Sequence, residues 1–106
     1  MKDYTVPIAV QSALQQRVNA FCKQSGLNTC YCADARGKFI YLYRLLPEGI
    51  ERLGRLTYLG DSENMEFAIF KYSSGKYDPK ESWFPGVEHI DGTIEGALKA
   101  VIQAYP

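Results

Sequence analysis

Residues 53–72, LGRLTYLGDSENMEFAIFKY, decide how the rest of the chain is read. Gly60-Asp61-Ser62-Glu63-Asn64 is a cluster of turn formers. A short run of strand-forming residues lies on each side of it, which predicts a β-hairpin. One strand is expected over 50–60, with a bulge at Gly54, and its partner over 65–72.

Outward from the hairpin, residues 38–46 (KFIYLYRLL) predict another strand. Its side chains alternate. Phe39, Tyr41, Tyr43 and Leu45 point one way, and Ile40, Leu42, Arg44 and Leu46 the other. Apolar residues on both faces predict a central strand covered on both sides. A first strand is expected over 28–33, followed by Asp34-Ala35-Arg36-Gly37 as a hairpin loop. Pro47-Glu48-Gly49 and Ser73-Ser74-Gly75 read as further turns. Residues 76–92 hold two prolines and two glycines and read as irregular.

The two ends change period. Val10, Ala13, Leu14, Val18, Phe21 and Cys22 share one face at helical spacing, and Gly26 is a natural stop, so a helix is expected over 7–25. Thr93 is a good N-cap, and Ile94, Ala97, Leu98, Val101, Ile102 and Tyr105 continue at helical spacing, so a second helix is expected over 93–105. Gly96 weakens that helix by up to ~1 kcal/mol against alanine, and is read as permitting a close approach to the sheet. The expected fold is α+β, a four-stranded antiparallel meander flanked by an N-terminal and a C-terminal helix, as a single domain over 1–106.

Composition narrows the function. The chain has 106 residues, 46% hydrophobic and 23% charged, which excludes disorder. Lys+Arg and Asp+Glu are 12 each, for a formal net charge of zero. That balance lacks the basic excess of a typical nucleic-acid binder. No apolar run approaches the roughly 20 residues of a membrane span. The first residues do not have the pattern of a signal peptide, and three cysteines is an odd number, so a reducing cytoplasm is expected.

Chemistry-bearing residues are sparse. Cys30 and Cys32 share one face of a predicted strand, and Cys22 and His89 would complete a four-ligand set. The spacing is poor for zinc, so the thiols read as small packed hydrophobes and no metal or cofactor is expected. His89 is the only histidine, and no nucleophile or loop motif is spaced around it for catalysis. The expectation is binding, not an enzyme.

Two aromatic sets suggest where binding occurs. Phe39, Tyr41 and Tyr43, with Tyr58 and Tyr72, can stack bases, and Arg36, Lys38, Arg44, Arg52 and Arg55 can supply phosphate contacts. Two amphipathic helices need something to cover, so these rings are expected beneath them, and nucleic acid is not the expected partner. Trp83 and Phe84 lie in the irregular segment near His89; they are expected to dock on the domain's own core, since exposing both would favour aggregation, and otherwise to mark a partner interface with His89.

Two resemblances follow from residue order. An early helix carrying FC, then FIYLYRLLPEG, RLGRLTYLG and MEFAIFKYSSGKYDP, resembles a small bacterial family known only as a domain of unknown function, over roughly residues 14–79. From Gly75, G-x-Y…F-P-G…D-G-T-I-E-G-A-L resembles the end of HicB-type antitoxins. That second likeness implies binding to a small toxin and RNA- or DNA-linked regulation. The combined reading is a small cytoplasmic binding domain acting through self-association, such as a homodimer, or a protein partner. The alternative is a nucleic-acid-binding or antitoxin-like regulator.

Overall fold

The turn cluster at 60–64 does divide two strands. Asp61 organises it, accepting from the Glu63 amide at 2.9 Å and from the Asn64 side chain at 2.7 Å. The structure is a computed structural model and describes residues 4–106. It contains α1 (Ile8–Gln24), β1 (Cys30–Arg36), β2 (Phe39–Leu46), β3 (Gly49–Thr57), β4 (Glu66–Lys71), β5 (Lys76–Asp78), a short 3₁₀ turn (Val87–His89) and α2 (Ile94–Ala104). The strands form one antiparallel sheet in the order β1-β2-β3-β4-β5.

The α+β class and the meander are as expected, but the sheet has five strands, not four. The additional one is β5, inside the stretch read as irregular. It pairs Tyr77 with Phe70, whose rings meet edge-on at 4.9 Å, and Pro79 follows its last residue. An aromatic pair across the ladder supplies the local stabilisation that a three-residue strand lacks. The first hairpin is also tighter than expected. Asp34, Ala35 and Arg36 pair with Tyr41, Ile40 and Phe39, which leaves the turn to Gly37 and Lys38.

Both helices cover the same face of the sheet. Leu14 and Val18 of α1, and Ile94, Leu98 and Val101 of α2, share one buried cluster with Ile40, Leu42, Leu53, Leu56 and Ile69. Ala13, expected on the apolar side of α1, is exposed. Gln15 of the same helix accepts a 2.9 Å hydrogen bond from the Ala33 amide and so satisfies a donor on the edge strand β1.

Arg17 ties the layers together. Its guanidinium bridges Glu95 at the start of α2 (2.8 Å from Nε) and Glu63 in the β3–β4 turn (2.7 Å from Nη1). These hydrogen bonds hold the Glu95 carboxyl below its ordinary value of 4.5. A carboxyl whose folded pKa is depressed contributes its full stability above the unfolded value and loses it as pH falls through the folded one. The melting temperature is therefore expected to drop on acidification below about pH 4.5. Arg17→Met should flatten this drop. Melts recorded at intervals from pH 7 to pH 2.5 check it; equal slopes for the two proteins would refute the assignment.

Thr93 caps α2, its hydroxyl accepting from the Gly96 amide at 3.1 Å. Gly96 does permit a close approach, but of the preceding segment and not of the sheet. A Cβ there would overlap the Asp91 carboxylate and the His89 carbonyl. Gly96→Ala normally favours a helix by ~1 kcal/mol. Here it is expected to destabilise by about 1–3 kcal/mol through overpacking. A higher melting temperature for Gly96→Ala would contradict this.

Candidate binding site on the open sheet face

The face of the sheet opposite the helices is built by alternation. Asp34, Tyr41, Arg55 and Ala68 stand in one cross-strand row, and Cys32, Tyr43 and Arg52 in the next. Phe70 and Tyr77 extend the surface on β4 and β5. Residues 52 and 55 are three apart, and in a regular strand they would point to opposite faces. The register shifts between Leu42 and Tyr43, whose partners are Gly54 and Arg52, so Leu53 is the extra residue of a bulge. Leu53 stays in the core, and both guanidiniums emerge on the open side. The bulge thus lies at or beside the expected Gly54.

Phe39, Tyr41, Tyr43 and Tyr77 are half-buried and Phe70 is buried, all on the side away from the helices. This overturns the expectation that Phe39, Tyr41 and Tyr43 form the core under α1 and α2. That place is taken by Ile40 and Leu42 on the other side of the same strand. Phe39 and Tyr41 lie 6.1 Å apart, and Tyr41 and Tyr77 lie 5.4 Å apart. The Arg55 guanidinium sits 4.3 Å over the Phe39 ring and 5.3 Å from that of Tyr77, and Arg52 lies 6.0 Å over Phe70. Lys38, in the β1–β2 turn, stands 5.3 Å over Phe39. Stacked guanidiniums keep their charge and their planar orientation.

Between these groups opens a cavity of about 540 Å³, lined among others by Arg36, Tyr41, Tyr43, Arg52 and Tyr77. Its size falls within the usual range of ligand sites. Among the described residues, Arg36 pairs with Asp34 at 3.1 Å, whereas Arg52 and Arg55 pair with no carboxylate. The Nε of Arg55 is buried and has no hydrogen-bond partner among those residues. Such orphaned donors are uncommon in folded proteins. Burial pushes the phenols of Tyr43 and Tyr77 up, so both remain neutral O–H donors at neutral pH.

Other candidates separate. Arg44, read as a phosphate contact, is on the helix face and buried. It binds Glu51 (2.6 Å from Nε), the Tyr31 hydroxyl at 3.2 Å and the Tyr105 carbonyl at 2.9 Å. The role suits a buried cation, which needs partners on all sides. Tyr58 is also in the core. Phe84 packs on Phe67 at 5.8 Å between centroids, but its neighbour Trp83 is 86% exposed. His89 meets Gln103 at 3.3 Å in an apolar groove of about 280 Å³ beside Phe21, Leu27 and Ile102, and Trp83 does not line it.

Cys30 and Cys32 face the open side, whereas Cys22 is half-buried against the core under α1. Burial pushes the thiols of Cys22 and Cys32 up, away from the reactive thiolate. Among the described residues, no group of three or more His, Cys, Asp or Glu is placed to hold a metal ion, and no helix is long and apolar enough to cross a membrane. Reasoning from the sequence had named Arg36, Lys38, Tyr41, Tyr43, Arg52 and Arg55 as contacts. It missed Phe70 and Tyr77, because a three-residue strand between a turn and a proline leaves no periodic signal.

The chain matches no protein-family model, no curated protein and no solved structure. The two resemblances therefore rest on residue patterns alone.

Proposed function

We propose that this chain is a binding domain and that the helix-free face of the sheet is its recognition surface. One observation carries the reading: two guanidiniums without carboxylate partners, one with a buried unsatisfied Nε, are held on aromatic rings beside an open cavity. Arg52 is exposed, but holding the half-buried Arg55 guanidinium uncompensated costs stability, and a negatively charged ligand recovers that cost. The chain's one histidine lies in the separate groove beside Ile102, and burial pushes the Cys32 thiol of this face up, which favours recognition over catalysis. The test is a titration of ¹⁵N-labelled protein with tripolyphosphate. Amides of β2 and β3 around Tyr41, Tyr43, Arg52 and Arg55 should shift while α1 and α2 stay still. Shifts confined to the helices would refute the reading.

A second surface is favoured by Trp83. Its indole is exposed while Phe84 fixes the segment to the core, and Lys71 holds Glu81 at 2.6 Å and Asp78 at 3.3 Å just before it. A rigidly presented aromatic suits a protein partner or a second copy of the chain. Trp83→Ala is expected to leave the melting temperature unchanged and to lower association in sedimentation experiments. A large loss of thermal stability would mean that the indole is docked on its own fold.

A further inference from the structure

We infer that the open face takes a segment of single-stranded nucleic acid, with Tyr41 and Tyr43 as base platforms and Arg52 and Arg55 as phosphate contacts. The inference rests on the reading of that face as the recognition surface, and names its ligand.

The register repeats a unit. Tyr43 stands across from Arg52, and Tyr41 across from Arg55. Each row sets one ring beside one cation, the pair of groups that a nucleotide presents as base and phosphate. The two tyrosines are two residues apart on β2, roughly 6.8 Å at about 3.4 Å per residue. An extended strand with splayed bases can put successive bases over rings at that spacing. The repeat exists only because the Leu53 bulge turns both arginines to this side.

The rings divide the work. Phe39 and Phe70 each carry a guanidinium over the ring. Among the described residues Tyr43 has neither a cation nor another ring packed on it, although it lines the cavity. The phenylalanines thus help position the cations and leave Tyr43 open, while Tyr41 is held at a tilt between Phe39 and Tyr77 with part of its ring exposed. Stacking on such platforms tolerates any base.

Charge selects among occupants. Arg36, Lys38, Arg52 and Arg55 outnumber Asp34 and Glu66 on this side of the sheet. A second copy docked face to face would set Arg52 and Arg55 against their own equivalents, and like charges oppose that. An acidic peptide would satisfy the guanidiniums but bring no flat partner for each tyrosine. Two phosphate contacts give a log–log salt slope of about −1.4 and an affinity of about 1–100 μM, in keeping with a chain of zero net charge.

The experiment is fluorescence anisotropy with labelled hexathymidylate and hexauridylate at several salt concentrations, on the whole chain. Binding of either is expected. Tyr43→Leu should weaken it by about five- to a hundredfold. Arg55→Gln should bring the salt slope to about −0.7, one phosphate fewer. Melting curves confirm that each variant is folded, and Arg52→Gln reads the same change of slope should Arg55→Gln fail to fold. Oligonucleotide binding that Tyr43→Leu and the folded arginine variants leave unchanged would overturn the inference. A glutamate-rich octapeptide and tripolyphosphate serve as the other arms, followed by amide shifts. Shifts at β2 and β3 with these, and none with either oligonucleotide, overturn the nucleic-acid ligand and leave the recognition face standing. No shift on this face with any of the probes overturns both.

Discussion

Leu98→Ala is expected to lower the free energy of unfolding by about 2–5 kcal/mol. Leu98 is fully buried and belongs to the cluster that joins α2 to α1 and to the inner side of the sheet. Removing its isobutyl group forfeits the transfer energy of those atoms and leaves a cavity that a backbone held by neighbouring helices closes only in part. A loss of this size is a large share of the roughly 5–15 kcal/mol that holds a small domain together. Lys99→Ala, one residue on and exposed, should change stability by less than ~0.5 kcal/mol. Urea titrations with an unchanged m-value read both. Unchanged stability in Leu98→Ala with weaker self-association would instead make α2 an interface element.

Gly86→Ala should be nearly as damaging, although it adds a single methyl group. Gly86 has φ of +93°, where a side chain crowds the backbone. A Cβ there would also lie 2.6 Å from the Ala100 carbonyl oxygen and 2.8 Å from the Ala100 Cα. Helix backbone cannot swing aside as a side chain can. The expected cost is roughly 2–5 kcal/mol, from about 1–2 for left-handed strain and about 1–3 for overpacking. Gly75→Ala separates the two contributions, because its φ is +69° but nothing lies within 4 Å of the added Cβ. It should cost only the strain, about 1–2 kcal/mol. Equal losses in the two variants would show that the contact with Ala100 contributes nothing. The Gly86 variant should also loosen Phe84, which lies two residues before the turn and packs on Phe67.

Local chemistry alone settled several elements. Thr93 reads as a cap because its hydroxyl suits an unpaired amide, and the structure pairs it with Gly96. The apolar spacing of Ile94, Leu98 and Val101 fits one face of a helix, and these three residues are buried together. The turn at 60–64 is set by Asp61, whose short side chain reaches the backbone nearby.

The binding face was not determined in that way. Strand β2 is apolar on both sides, so a period of two separates Phe39, Tyr41 and Tyr43 from Ile40 and Leu42 without saying which set the helices cover. The neighbours decide it. Ala33 and Ala35 stand in the rows of Leu42 and Ile40, and their small size leaves room for helix packing on that side, while the space over Gly54 is taken by the Phe67 ring. The tyrosines share rows with Asp34, Arg52 and Arg55, charges that stay near water. The fate of the arginines turned on geometry as well. Arg44 is charged like Arg52 and Arg55, but its place opposite Glu51 draws it into the core, while a single extra residue in β3 brings the other two out together. A side chain's residue type determines what it can bind; pairing register, a property of two strands at once, determined which side of the sheet it binds from.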